Sequence, residues 1–520
     1  SSAASDVYKR QTNAYTFRNT LQYTGEYAGK HYISLFAGQE IQERTAYNSF
    51  NYSPVFDEEH RIVGFPEMDG IDGSEINYNA LGGTGKSVSK MSSFFANASY
   101  SYLDKYILTG ALRYDGSDII GNDNQFTPLW NVGLRWNLHR EEFMKRWMWV
   151  DQFAVRGGFG YTGSIDKNAL PFVVMTLGQS VVYDGQTVPT SFSYPNPNVK
   201  WQTKQDMNVG LDLSLFDYRL ELGVNYYHNI TRDVLDRKAL PYSSGRSEVT
   251  ENVADIYNSG WEIDLGVTLL KNKSFQWYAK ANIAINDNKV KNTYYKDTED
   301  LPRATLSNAH QFVENQPVNG WYGYKFAGIN PINGAVMTYT GNGEATLDMS
   351  VSGATWPTPS VFYLGNLTPP VVGGFSTSAN WKQLIFSANF EFKTGHKIKS
   401  FNTFRSLDAR NRHTSEANRW REPGDITNVP AMSEAFTTYS SYMYDILLEK
   451  GNYLRCSYMT LGYNLKPEWL HKIGFSTARL SFTAKNLFTI SSYSGIDPAL
   501  MGSFGYPNSR KYTITLNVGF

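Results

Sequence analysis

The chain has 520 residues, 48 basic and 48 acidic side chains, and aromatics at 15% of positions. A formal net charge of zero excludes a partner held by bulk charge, nucleic acid first among them. The single cysteine, Cys456, excludes a disulfide framework within the chain and a cysteine-based zinc site.

No apolar run approaches the ~20 residues of a membrane helix. Short alternating strands that close into a barrel are the other way across a bilayer.

The first eleven residues, "SSAASDVYKRQ", have no Met and no apolar core of a signal peptide. They resemble the translation of a sequencing-adapter read more than a natural linker, and residues 1–11 are set aside as non-native. The chain from 12 onward reads as truncated at its N-terminal side.

From there a period of two runs almost unbroken. In "YILTGALRYDG", Tyr106, Leu108, Leu112 and Tyr114 oppose Thr109, Arg113 and Asp115. "DMNVGLDLSLF" sets Met207, Val209, Leu211, Leu213 and Leu215 against Asp206, Asn208, Asp212 and Ser214. "YRLELGVNYYHN" and "GWEIDLGVTL" repeat the pattern, and so do "LIFSANFEF" and "ARLSFTAKNLF". This is the strand period and not the helical 3.6.

Predicted strands cover 12–25, 30–48, 89–102, 104–118, 126–138, 150–165, 201–216, 217–235, 251–270, 273–290, 371–381, 383–399, 446–465, 475–490 and 509–520. The 446–465 span alternates least cleanly, and "REEFMKRWMW" at 140–149 reads as a short helix within a tight connection.

Connection length supplies the second signal. "LDK", "FDY", "KNKS" and "WKQ" are short; the connections that alternate with them are long, at 50–88, 117–125, 166–200, 236–250, 291–370, 400–445 and 492–508. Outer-membrane barrels segregate short turns and long loops in this way. A soluble sandwich has no reason to.

The last strand, "KYTITLNVGF", puts Tyr512, Ile514, Leu516, Val518 and Phe520 on one parity. That parity is predicted to face lipid and the other a wet lumen. The fold expected is all-β: a transmembrane antiparallel barrel, incomplete in this chain.

Other motifs carry little chemistry. "ALGGTGKS" at 80–87 nearly matches a phosphate-binding loop, but no strand delivers it and no helix follows, so a flexible loop is predicted there. His396, His413 and His471 match no metal spacing and read as surface or rim residues. Carboxylates are abundant without any pair fit for general acid and base work. Trp321, Tyr322, Tyr324 and Trp356 have faces suited to sugar rings, yet such residues more often pack their own loop or belong to the interfacial girdle. No catalytic, cofactor or metal residue is assigned, and substrate-binding residues are left open.

Read in order, several stretches resemble the SusC/RagA-type TonB-dependent outer-membrane transporters. They include "ALRYDGSD", "LWNVGLRWNLHREEF", "VRGGFGYTGS", "PNPNVKWQTKQDMNVGLDLSLF", "NVADIYNSGWEIDL", "ENQPVNGWYGYKFAGINPINGAV", "GNLTPPVVGGFSTSANW" and "NRWREPGDITNVP". The most specific are "YLRCSYMTLGYNL", "LSFTAKNLFTISSYSGIDP" and "YPNSRKYTITLNVGF".

The resemblance implies a barrel of about 22 strands around a plug, of which 12–520 would supply about 15, without the plug. It implies TonB-dependent import of an oligosaccharide or peptide at the bacterial outer membrane, and no enzyme activity. The partners implied are a SusD-type surface lipoprotein, TonB through a region outside this chain, and outer-membrane lipid. It also makes the terminal Phe520 the barrel-assembly signal. A passive porin and a secreted all-β adhesin or carbohydrate-binding protein are the competing readings.

Overall fold

The computed structural model describes residues 7–51, 55–56, 62–64, 82–118, 125–164, 175–183, 186–192, 201–239, 243, 248–298, 312–347, 360–400, 417–431, 444–470, 474–501 and 505–520. Fifteen strands form one antiparallel wall. They are β1 (Val7–Tyr27), β2 (His31–Asn51), β3 (Gly82–Tyr102), β4 (Tyr106–Ser117), β5 (Phe126–Asn137), β6 (Val150–Ser164), β7 (Gln202–Leu215) and β8 (Leu220–Ala239). The rest are β9 (Glu248–Lys271), β10 (Phe275–Lys291), β11 (Val371–Trp381), β12 (Leu384–Thr394), β13 (Tyr453–Asn464), β14 (Thr477–Lys485) and β15 (Lys511–Gly519).

Each strand pairs with the next in sequence. A short sixteenth strand, Thr489–Ser491, pairs beside β14 on the same edge of β13. Among the described residues β1 and β15 are the free edges, so the wall is open.

The tight connections all fall at one end. At Leu103-Asp104 both central residues take positive φ (52° each), and the Lys105 amide closes the turn onto the Tyr102 carbonyl at 2.9 Å. That is the primed-turn geometry whose twist matches paired strands. The 216–219 turn likewise holds Phe216, Asp217 and Tyr218 at positive φ. The 140–149 segment forms two 3-10 turns, Leu138–Arg140 and Glu142–Met144, rather than one helix. Glu141 sits between them and accepts from Tyr106 (2.6 Å), Lys105 (2.9 Å) and Trp136 (3.2 Å). The Tyr106 hydroxyl first, then Lys105 and Trp136, hold its carboxyl down at about 2.

The parity reading is realised across the wall. Leu108, Leu112, Leu134, Met207, Val209, Ile514 and Leu516 lie exposed on the outer face. On β4 the band begins at Tyr106, stacked on Trp136 at 6.2 Å, and ends at Tyr114, stacked on Phe126 at 5.1 Å. Eight positions separate the two tyrosines, about 27 Å along the strand and about 20 Å along the normal at the usual tilt. The outer face is thus an apolar band between aromatic rims, not one half of a dry sandwich core.

Several predicted bounds are corrected. The glycine-rich 82–87 stretch is no loop: it opens β3, with Lys86 opposite Tyr47 and Ser87 opposite Ala46. Its pairing uses the backbone groups that a phosphate loop would leave free. Predicted strand 383–399 breaks at Gly395, whose φ of +88° suits glycine, and Lys397–Lys399 then pairs with Leu448–Lys450. The poorly alternating 446–465 span is therefore two strands. Residues 7–11, set aside above, continue β1 and pair with 47–51.

Candidate functional site: the inner wall and the loop-side cap

The polar parity assembles a network on the inner face. Arg135 donates to Asp212 at 3.0 Å, and Arg156 approaches the same carboxylate at 3.6 Å. Arg156 also donates to Asn225 (3.4 Å), which donates to Glu262 (3.3 Å). Five strands, β5 to β9, are thereby linked.

Gly210 makes this possible. It lies opposite Arg156, and a Cβ there would stand 2.7 Å from the guanidinium carbon. Gly260 serves Tyr227 in the same way: a Cβ would meet its hydroxyl at 2.5 Å, where Tyr227 now reaches Asn286 at 2.7 Å. Further along, Thr162 donates to Asp206 (3.2 Å). Both charge signs alternate on a half-exposed surface. Such a wall offers hydrogen bonds to hydrated polar groups without one dominant sign.

At the other end from the tight turns, the long connections fold together. Val313, Tyr322, Tyr324, Ile329, Val336, Val361, Tyr444 and Leu447 form a buried cluster. Short strands frame it: Gly320–Gly323 pairs with Phe362–Asn366, and Phe326–Ile329, Val336–Tyr339 and Ala345–Leu347 form a meander. The Phe326 amide donates to Asp445 at 2.9 Å, and Trp420 donates to the Pro331 carbonyl at 3.1 Å.

Trp321, Tyr322 and Tyr324 are all buried, and Trp321 donates to the Lys397 carbonyl at 2.9 Å. They pack their own cap and offer no face to a sugar ring. Burial pushes the Tyr322 phenol up. Trp356, His413 and His471 lie outside the described residues.

A buried ion pair joins the 486–510 segment to the wall. Arg455 on β13 pairs with Asp497, both side chains almost fully enclosed. Asp497 also accepts from the amides of Ala499 (2.9 Å) and Asn508 (3.3 Å), capping the turn Pro498–Leu500. Beside it, Glu449 accepts from the Ser494 amide and hydroxyl at 2.8 and 2.6 Å. Burial raises the Glu449 carboxyl, but bonds from Ser400 and Ser494 outweigh it and hold the group below its usual range.

The sequence reading passed over this latch, although Asp before Pro is a signature of a capped turn start. His396, expected as a surface or rim residue, is buried at the rim. Burial first, and then Lys393, depress its imidazole. Among the described residues no group of three His, Cys, Asp or Glu side chains is placed to hold a metal. Phe520 stands at the turn end, 93% exposed, with its ring edge-on to Phe475 at 5.2 Å.

Residues 1–391 match the family model described as "TonB dependent receptor-like, beta-barrel". The chain belongs to the TonB-dependent receptors. TonB-dependent receptor P3 of Formosa agariphila is 28% identical over 550 residues, covering 99% of this chain and 53% of that protein. TonB-dependent receptor SusC of Bacteroides thetaiotaomicron is 23% identical, covering 82% of this chain and 43% of its own length.

Among solved structures, the RagAB peptide transporter superposes with a TM-score of 0.78 at 24% identity, covering 99% of this chain and 56% of that one. Its importer in the "open-open" state gives 0.80. The SusC/RagA-type resemblance stands, and the receptor is an outer-membrane protein that crosses the bilayer with strands. The chain spans about half the length of these relatives.

Proposed function

We propose that this chain is the wall and loop-side cap of an energised importer for a large nutrient, an oligosaccharide or a peptide. Support comes from the family and from the likeness to SusC and to the RagAB peptide importer. One observation carries the reading: an apolar outer band and a polar inner network share the same strands, beneath a folded cap at the loop end. A SusD-type lipoprotein would sit over that cap. TonB, coupled to the inner-membrane proton gradient, would act through a region outside this chain. The protein binds and passes its substrate and performs no covalent chemistry.

Deleting residues 405–440 from the full-length receptor is expected to abolish uptake or lipoprotein binding while barrel assembly persists. Uptake and binding that both survive, measured by transport assay and co-purification, would remove the cap from the function. Uptake that survives collapse of the proton gradient would favour a passive porin.

Phe520 is proposed as the assembly signal, an exposed aromatic at the turn end of the last strand. Phe520→Ala in the full-length receptor should lower the amount reaching the outer membrane several-fold without lowering synthesis. Equal membrane levels would discard that role.

A further inference from the structure

The turn end is not uniform around the wall. The 271–274 turn is polar, closed by the Asn272 side chain accepting from Ser274 and Phe275 amides at 3.0 and 2.8 Å. Between β5 and β6, by contrast, the 138–149 excursion carries a cluster of exposed apolar side chains. Trp147 stacks on Trp149 at 6.2 Å, and Trp149 stacks on Phe216 of the neighbouring turn at 5.7 Å. Phe143 and Tyr218 are also exposed, and Met148 is 92% exposed at the tip. Met144, buried, anchors the excursion from beneath.

This cluster continues a lipid-facing surface. Glu141, at its start, is bonded to Tyr106 and Trp136, the stacked rings that end the outer band. Aromatic rings with polar edges favour the headgroup level, where one end is apolar and the other wet. The guanidinium of Arg146 lies 5.9 Å from the centre of the Trp147 ring, and no carboxylate pairs with it among the described residues. A long cationic side chain laid along an aromatic reaches phosphate from such a position.

The acids nearby are accounted for. Glu142 pairs with Lys145 at 2.8 Å, Asp104 with Arg140 at 3.2 Å, and Asp151 accepts the Tyr218 amide at 2.9 Å. Asp217 is exposed, two positions before Arg219. The signs balance, which fits a zwitterionic headgroup better than a strongly anionic surface.

We propose that the 138–149 excursion and the 216–219 turn form a foot that inserts into the phospholipid headgroup layer of the turn-side leaflet. Trp147, Met148, Trp149 and Phe216 enter the boundary of headgroups and acyl chains, and Arg146 meets a phosphate. The foot anchors one sector of the wall, β5 to β8, more deeply than the polar turns anchor the rest.

The test uses the purified full-length receptor in phosphatidylcholine vesicles whose acyl chains carry bromine near the headgroup. The fluorescence lost in the Trp147→Phe/Trp149→Phe double variant isolates these two indoles. That difference signal should fall by about half or more in brominated vesicles, as expected of rings at the interface. An unquenched difference signal would overturn the proposal and leave the foot in water as a docking surface for a soluble protein.

A second readout needs no variant. Under hydrogen peroxide in the same vesicles, Met148 should form sulfoxide several-fold more slowly than Met501. In the protein alone the order of exposure is the reverse, 92% against 44%. Oxidation of Met148 as fast as Met501 would also overturn the foot.

Discussion

Asp212 and Leu211 are neighbours in sequence and lie on opposite faces of β7. Asp212 meets Arg135 and Arg156 at a surface that water reaches, so losing its charge costs little: Asp212→Asn is expected to destabilise by under about 1 kcal/mol. Leu211 stands midway between Phe216 at the turn and the upper aromatic group of Phe159 and Tyr161, which oppose Met207 and Gln205. Leu211→Arg places a cation at the bilayer midplane, at about 2–4 kcal/mol.

Leu213, on the same face, is only three positions from Phe216. Its arginine substitution should fall toward about 1 kcal/mol because the side chain reaches the interface. Folding into bilayers measures all three, and equal costs would remove both facing and depth. Facing was legible in the sequence because a period of two fixes it. Depth was not, because it depends on which aromatic groups the pairing register sets beside the strand, here Phe159 and Tyr161 opposite Met207 and Gln205. The cap aromatics were ambiguous for a related reason: composition does not say whether Tyr322 points into its own loop, and the buried cluster decides that it does.

At the scale of elements, all fifteen strands of the wall were legible, since connection length and alternation agree along the chain. What the pattern missed were the places where backbone pairing leaves the wall. Strand β12 stops at Gly395, and the chain resumes as Lys397–Lys399, a short strand that pairs with Leu448–Lys450 and alternates no differently from a strand of the wall. The Arg455–Asp497 latch was equally invisible, because its partners are 42 positions apart and lie in different elements.

That latch holds the 486–510 loop against β13. Removing Asp497 leaves the buried Arg455 with only the half-exposed Glu391 at 3.7 Å and the Thr489 hydroxyl at 3.1 Å, so Asp497→Ala should cost about 3 kcal/mol. It should also free the amides of Ala499 and Asn508, raising protease cleavage and hydrogen exchange within 486–510 while β13 and β14 stay protected. Replacing both partners together, Arg455→Met with Asp497→Leu, should recover part of the stability. Unchanged exchange in the loop of Asp497→Ala would show that the Glu449–Ser494 contacts hold it alone.

Over the whole molecule, antiparallel order decides what the wall can do by itself. Each strand of the path runs against the next, so β1 and β15, first and fifteenth, run in the same direction. Joined directly they would make a parallel pair, and an antiparallel ring cannot close on that count. Among the described residues, two rows of backbone N–H and C=O groups are left without a strand partner at the edges, along β1 over Val7–Tyr27 and β15 over Lys511–Gly519. In lipid each such group costs several kcal/mol, and only closure removes edges. A chain of these 520 residues refolded alone in detergent should therefore pair edge to edge with other copies. It should also lose its structure in cold SDS, where closed outer-membrane barrels keep theirs until heated. The full-length receptor under the same conditions should run as a compact, heat-modifiable band. A compact, SDS-resistant monomer from the 520-residue chain would mean that β1 and β15 find a closing partner within it, and the open wall would have to be redrawn.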